Sequence, residues 1–194
     1  MEKRIFLTGG EAETRSRLIR EALGGKAAWA GGFIIAAEAG EAGYAEGYAL
    51  RPAAAVSGVE GLPSRRFLDC RSWPPERDNE VFRVYGVQLL QEAALYPFAV
   101  LDEIGGFELV IPQFRAALAD FLSSSVPCLG VLKSPTGVEE LQERFGLGEK
   151  YPALARRLRE AFDRDPDTLV LETSGRGDAR AERAVREWAE SFAR

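Results

Sequence analysis

The sequence predicts a three-layer α/β fold: a mainly parallel sheet flanked by helices, with an added antiparallel β-hairpin. Short, almost wholly apolar runs at 4–8, 98–101 and 126–132 have the length and continuity of strands covered on both faces. Segments with helical apolar spacing separate them. The hairpin is read at about 31–50, where Gly31-Gly-Phe-Ile-Ile-Ala-Ala and Tyr44-Ala-Glu-Gly-Tyr-Ala-Leu flank the glycine-rich turn 38–43. With 194 residues, 46% of them hydrophobic, and no break in composition, residues 1–194 are expected to form a single domain.

Taken in order, the first strand runs into Gly9-Gly10, and Leu18, Ile19, Ala22 and Leu23 predict a helix from about Ser16 that Gly24-Gly25 stops. Ser72–Asp78 reads as a turn-rich surface segment, and the helical spacing of Val87–Leu95 must end before Pro97. Phe98–Leu101 is a central strand ending in Asp102-Glu103. Pro112 opens a helix with Phe114, Ala117, Leu118, Phe121 and Leu122 on its apolar face. Thr136 and Glu139 fit a capping box for a helix toward Phe145, and a second helix from about Pro152 completes a helical pair over about 136–162. Thr168–Leu171 is a last strand. Ala181, Ala184, Val185, Trp188, Ala189 and Phe192 then form one stripe of a final helix.

Composition narrows the chemistry. A net charge of −5, from 30 acidic and 25 basic residues, leaves no electrostatic footprint for nucleic acid. No apolar run reaches membrane-spanning length, so a soluble protein with no membrane partner is expected. Cys70 and Cys128 are too few for a disulfide framework and lack zinc-site spacing, which points to a reducing, cytoplasmic setting. There is no histidine, so Ser-His-Asp triads, Cys-His dyads and histidine metal sites are excluded. Catalysis, if any, rests on carboxylates, cations, hydroxyls and backbone dipoles.

Two segments point to phosphate. Gly9-Gly-Glu-Ala-Glu-Thr14-Arg15-Ser16 follows a strand, precedes a helix and matches the phosphate-loop pattern G-x-x-x-x-G-K-[ST] at its first glycine and last hydroxyl. Thr14 stands where the second glycine belongs and Arg15 where the lysine belongs. A β-branched residue is penalised wherever the loop needs a positive φ, and a planar guanidinium is no substitute for a compact ammonium at a tight phosphate site. Glu11 and Glu13 add repulsion: unit charges ~4 Å apart repel by about 4 kcal/mol at an intermediate dielectric. A self-capped loop is a further expectation, with Thr14 or a neighbouring carboxylate occupying the helix donors that phosphate would use.

The second segment is Asp102-Glu103. Strand ends converge above an α/β sheet, so Asp102 is placed to hold Mg²⁺ and Glu103 to orient or deprotonate an attacking water. Arg176, in the polar loop after the last strand, is a candidate contact to phosphate or base. Lys133 and Ser134, after another strand, are candidates to sense a terminal phosphate or simply an ordinary turn before Pro135.

The block Val100-Leu-Asp102-Glu103-Ile-Gly105-Gly-Phe-Glu108-Leu109 resembles the Asp-Glu-Ile-Gly-x-Met-Glu-Leu block of the small P-loop nucleoside-triphosphatase family, which includes the cancer-related nucleoside-triphosphatase and its archaeal and bacterial relatives. Gly31-Gly-Phe33 with Gly47-Tyr48, and Arg83-Val-Tyr85-Gly86-Val87, are similar to two further stretches of that family. The resemblance implies a P-loop NTPase-like fold, with Gly9, Gly10, Thr14, Arg15, Ser16 and Arg176 at a nucleoside triphosphate such as ATP. It also implies Ser16 and Asp102 on Mg²⁺, and Glu103 as the base. Three departures stand out: Thr14-Arg15-Ser16 replaces Gly-Lys-Thr, Gly175 replaces the asparagine before Arg176, and 135–167 is longer. The longer segment is expected to be a lid or a surface for a protein partner.

Three functions follow. The first is a nucleotide-binding or regulatory protein with a degenerate phosphate loop, its hydrolysis weak or lost. The second is a slow Mg²⁺-dependent nucleoside triphosphatase using Asp102 and Glu103, with Arg15 in place of lysine. The third is an interaction module built on the long helical segment.

Overall fold

A computed structural model describes residues 2–40, 44–175 and 177–193. One eight-stranded sheet has the order β5-β4-β3-β2-β6-β7-β1-β8. Its strands are β1 (Arg4–Thr8), β2 (Ala30–Ala39), β3 (Ala45–Pro52), β4 (Arg65–Asp69), β5 (Glu76–Arg77), β6 (Phe98–Ile104), β7 (Cys128–Leu132) and β8 (Thr168–Glu172). Strands β2, β6, β7, β1 and β8 pair in parallel, while β3, β4 and β5 continue the sheet antiparallel beyond β2.

The hairpin is therefore formed as expected, but its first strand is a full member of the parallel sheet. Strands β4 and β5 were not expected. In β4 only Phe67 and Leu68 are buried, within Arg-Arg-Phe-Leu-Asp, and β5 is two exposed residues. Neither leaves a periodic trace, and both exist because β3 offers an edge to pair with.

Helices α1 (Ala12–Leu23) and α6 (Ala179–Phe192) cover one face, where Leu18, Ile19, Val185 and Trp188 pack with Leu7, Val100 and Val131. The other face carries α2 (Val87–Ala93), α3 (Pro112–Leu122), α4 (Pro135–Phe145) and α5 (Lys150–Arg164). A π-helical stretch, Val81–Gly86, runs directly into α2, so this helix begins earlier than its spacing suggests. At the centre, β6 and β7 approach closely enough that a Cβ on Gly130 would lie 2.6 Å from the Leu101 carbonyl and 2.7 Å from the Phe6 ring.

The predicted helical pair is present, and its second member belongs to the core. Phe162 of α5 stacks on Phe6 of β1 with ring centroids 4.5 Å apart, and Tyr151 is fully buried. At the far end of α5, buried Arg4 donates to Asp165 Oδ2 at 2.7 Å and to the Ser124 carbonyl at 2.7 Å, tying β1 to this layer. Helix α4 buries only Val138.

The expected capping box at Thr136 and Glu139 does not form. Ser134 is the N-cap instead, its Oγ accepting from Gly137 N at 3.1 Å, because Pro135 already occupies the first helical position. Ser134→Ala is expected to cost about 1 kcal/mol of stability, read from the urea midpoint.

Candidate functional site

The sheet order brings the two predicted segments together. Strands β1 and β6 are separated by β7 alone, so the turn after β1 and the carboxyl end of β6 share one rim, with the start of α1 crossing between them. There Ser16 Oγ donates to Asp102 Oδ2 at 2.9 Å across 86 residues of chain. Asp102 is half-buried at the end of β6, and burial pushes its carboxyl up to about 6, with the neighbouring charge of Glu103 adding to the shift and the Ser16 hydrogen bond opposing it. The β6–β7 register shifts between Leu101 and Ile104, which lets the strand end turn its two carboxylates toward the rim.

The turn after β1 differs from the expectation in a specific way. Helix α1 begins at Ala12, four residues before Ser16, so the connection shrinks to Gly9, Gly10 and Glu11. Thr14 sits inside the first turns of the helix, buried, and the positive φ values fall on Gly9 (68°) and Gly10 (59°), where glycine bears them without penalty. The anticipated steric cost at Thr14 is therefore avoided by lengthening the helix. Self-capping does not occur either: Glu11 is the N-cap residue and its side chain makes no cap bond, nor does Thr14 supply one.

Arg15 is the residue that closes the turn. Its guanidinium folds back and donates from Nη1 to the carbonyls of Gly9 and Gly10, the latter at 2.8 Å. Thr173, just past β8, holds the same turn from the other side, donating from Oγ1 to the carbonyls of Thr8 (3.2 Å) and Gly9 (3.1 Å). A Cβ on Gly10 would lie 2.7 Å from that hydroxyl, so the turn and the β8 end are in tight contact. Thr173 carries no motif, and only the pairing of β1 with β8 reveals it.

Glu103 is also engaged. Lys133, after β7, reaches Glu103 Oε1 at 2.6 Å, and Arg15 Nη2 lies 3.9 Å from Glu103 Oε2. Of the two expected phosphate sensors, Lys133 thus faces the acidic strand end, while Ser134 is committed to capping α4. Arg176 lies outside the described residues.

Deeper in the same rim, Glu108 turns back on the acidic block. Its Oε1 accepts from Gly105 N (2.7 Å) and Gly106 N (2.9 Å), and the Gly105 carbonyl accepts from the hydroxyl of Tyr151 at 2.9 Å. Burial pushes the Glu108 carboxyl up to about 7, opposed by those backbone hydrogen bonds and by the positive charge of Lys133. Tyr151 could not be found by motif; its only sequence signal is a place on the apolar face of α5.

A protein-family model described as NTPase matches residues 5–161, four-fifths of the chain and all of the rim except the β8 end. The chain belongs to this NTPase family. Among solved structures, THEP1 from the hyperthermophile Aquifex aeolicus superposes with a TM-score of 0.64 over 98% of this chain and 99% of that one. Its sequence identity is 15%, so the likeness concerns the fold, a P-loop NTPase fold with a mostly parallel sheet and an antiparallel extension. No curated protein matches the chain by sequence. Among the described residues, no helix is long and apolar enough to cross a membrane.

The NTPase family implies a nucleotide and Mg²⁺, and the rim can be tested for both. Ser16 Oγ and the Asp102 carboxylate are adjacent hard oxygen donors of the kind Mg²⁺ accepts while keeping several waters. The N-terminus of α1 is uncapped by side chains and favours an anion. The wrapped loop that would enclose a polyphosphate is instead a three-residue turn filled by the Arg15 guanidinium. The oxygen donors suit the metal, and a phosphate chain could be held only from the helix end.

Proposed function

We propose that this NTPase-family chain binds a nucleoside triphosphate weakly, with hydrolysis weak or lost, and serves a binding or regulatory role. The observation that carries this reading is the position of Arg15. Its guanidinium is spent on the Gly9 and Gly10 carbonyls, so the cation at the lysine position holds the protein's own backbone. Glu103, the candidate base, has one oxygen 2.6 Å from the Lys133 ammonium, which competes with any water it would activate.

In this reading the amide groups at the start of α1 bind the terminal phosphates and Ser16 and Asp102 hold Mg²⁺. When bound, the metal neutralises charge on the phosphate oxygens. Glu11 and Glu13 flank the anion site and weaken it. Arg176 is assigned to the phosphate or base from its sequence position. The exposed side of α4, which buries only Val138, is the surface we assign to a protein partner. We place the protein in the cytoplasm on its two unpaired cysteines, Cys70 and Cys128.

The experiment is a thermal-shift series with ATP, GTP, CTP and UTP, with and without Mg²⁺, run beside a phosphate-release assay. The expected result is a small rise in Tm that depends on Mg²⁺, with almost no release. No shift at saturating nucleotide would defeat the reading.

A second reading is favoured by one observation, the intact Ser16–Asp102 contact. It makes the chain a slow Mg²⁺-dependent nucleoside triphosphatase with Glu103 as base. Steady phosphate release that disappears in Glu103→Gln would establish it over the first.

Both readings share a pH prediction. Mg²⁺ needs the ionised Asp102 carboxylate, and a carboxyl at about 6 is mostly ionised at pH 8 and about nine-tenths protonated at pH 5. Mg²⁺ affinity is expected to fall roughly tenfold between those values, as read by titration calorimetry with nucleotide present. An affinity unchanged to pH 5 would remove Asp102 from the metal site.

A further inference from the structure

Beside the Gly9–Gly10 turn, and sharing Ala12 and Glu103 with the rim, lies a cavity whose aromatic walls play no part in the reading above. It has a volume of about 280 Å³ and is lined from β2, β3, β4 and α4 together with the rim residues Glu103 and Lys133. Its walls are aromatic: Tyr48, Phe67, Phe82, Phe107 and Phe145 all line it. Phe67, Phe82 and Phe107 brace one another, with centroids 4.8 to 5.8 Å apart, so this side of the cavity is preformed. Such a site suits a flat ring more than a flexible chain, because the stacking faces are already ordered.

Besides the charged side chains of Glu103, Lys133 and Arg144, one buried carboxyl lies in the lining. Glu108, 2% exposed, also faces the cavity, and its Oε1 is committed to Gly105 N and Gly106 N. No side chain lining the cavity donates to its Oε2. A carboxylate oxygen that no cavity side chain engages is an acceptor open to a ligand N–H. Aromatic walls with one acceptor at the base define a ligand: a planar heteroaromatic ring carrying an amino or ring N–H group. Glu103, Lys133 and the exposed Arg144 give the cavity a polar side that suits a hydroxylated substituent.

We propose that this cavity binds the base of a free nucleoside or a closely similar heteroaromatic compound, its N–H donating to Glu108 Oε2, at a site next to the phosphate turn and separate from it. The site needs neither Mg²⁺ nor a phosphate, so its test stands apart from the nucleotide-binding reading.

Adenosine and guanosine would be titrated into the full chain at pH 8 by calorimetry without Mg²⁺, alongside purine riboside, which has the ring but no exocyclic amino donor. At least one of the two amino-bearing nucleosides should bind with a dissociation constant no weaker than about 1 mM. Glu108→Gln keeps an oxygen for the two glycine amides and presents an amide NH₂ in place of the free oxygen, so it should weaken binding at least about tenfold. Tyr48→Ala, which removes a half-exposed wall, should weaken it several-fold, and purine riboside should bind at least about tenfold more weakly than the better nucleoside.

The proposal is overturned if neither nucleoside binds, if Glu108→Gln binds as well as the parent, or if purine riboside binds equally. A repeat at saturating ATP and Mg²⁺ separates the two sources of a base. Retained nucleoside affinity supports a separate site, and competitive displacement assigns the cavity to the nucleotide's own base and overturns it.

Discussion

Replacing Thr14 with glycine and Arg15 with lysine together is expected to raise phosphate release about 100-fold, the scale on which a single well-placed electrostatic group acts at a transition state. Lysine cannot fork across the Gly9 and Gly10 carbonyls as Arg15 does, so the turn loses the clasp that now fills it. Glycine at 14 loosens the first turns of α1, at a helix cost of about 1 kcal/mol, and lets the loop reopen around phosphate. Arg15→Lys alone should give less, because Thr14 still holds the early helix start. The single and double variants would be compared by phosphate release at saturating nucleotide and Mg²⁺. A double variant that binds nucleotide yet turns over no faster would show that the turn is not what limits hydrolysis.

Glu108→Gln is expected to stabilise the protein at pH 8 and to have little effect at pH 4.5. The carboxyl is raised by burial from its ordinary value to about 7, so the folded state holds a proton that the unfolded state releases between about pH 4.5 and 7. The native state binds more protons in that window, and stability therefore falls as pH rises through it. Above the window the penalty is complete, on the order of 3 kcal/mol, and the glutamine variant avoids it while its oxygen still accepts from Gly105 N and Gly106 N. A rise in Tm of roughly 6–12 °C at pH 8, shrinking toward zero at pH 4.5, is the result to look for by calorimetry. Equal Tm values across the range would mean that the carboxylate is compensated by Lys133 or by solvent.

Much of the layout was readable from residue order. Runs such as Ile5–Leu7 and Phe98–Leu101 are apolar throughout because their strands are covered on both faces, and the stripe from Ala181 to Phe192 is helical because one side alone is buried. What escaped lacked periodicity or depended on distant neighbours. Strands β4 and β5 are short and mostly exposed, and they form only on the edge that β3 supplies. The early start of α1 ran against the motif: the pattern places the helix at Ser16, while the local chain, with no further glycine after Gly10, continues helical from Ala12.

The candidate site divides in the same way. Asp102, Glu103 and Ser16 were named from their positions at strand and loop ends, because backbone topology alone brings those ends to one rim. Thr173 and Tyr151 were not named, since each acts through a carbonyl whose position depends on which strand or helix packs beside it.

By itself the sequence determined the α/β layering, the NTPase kinship carried by the Asp102–Leu109 block, and the chemical change at residues 14 and 15. Those are properties of residue type and spacing, and they survive without coordinates. Only the tertiary structure decided what the change does. The direction of a guanidinium is set by the acceptors within its reach, and for Arg15 these are two carbonyls freed by the left-handed turn at Gly9 and Gly10. Its consequence for Glu103 likewise depends on Lys133, a residue thirty positions away that the β6–β7 pairing brings to the same rim.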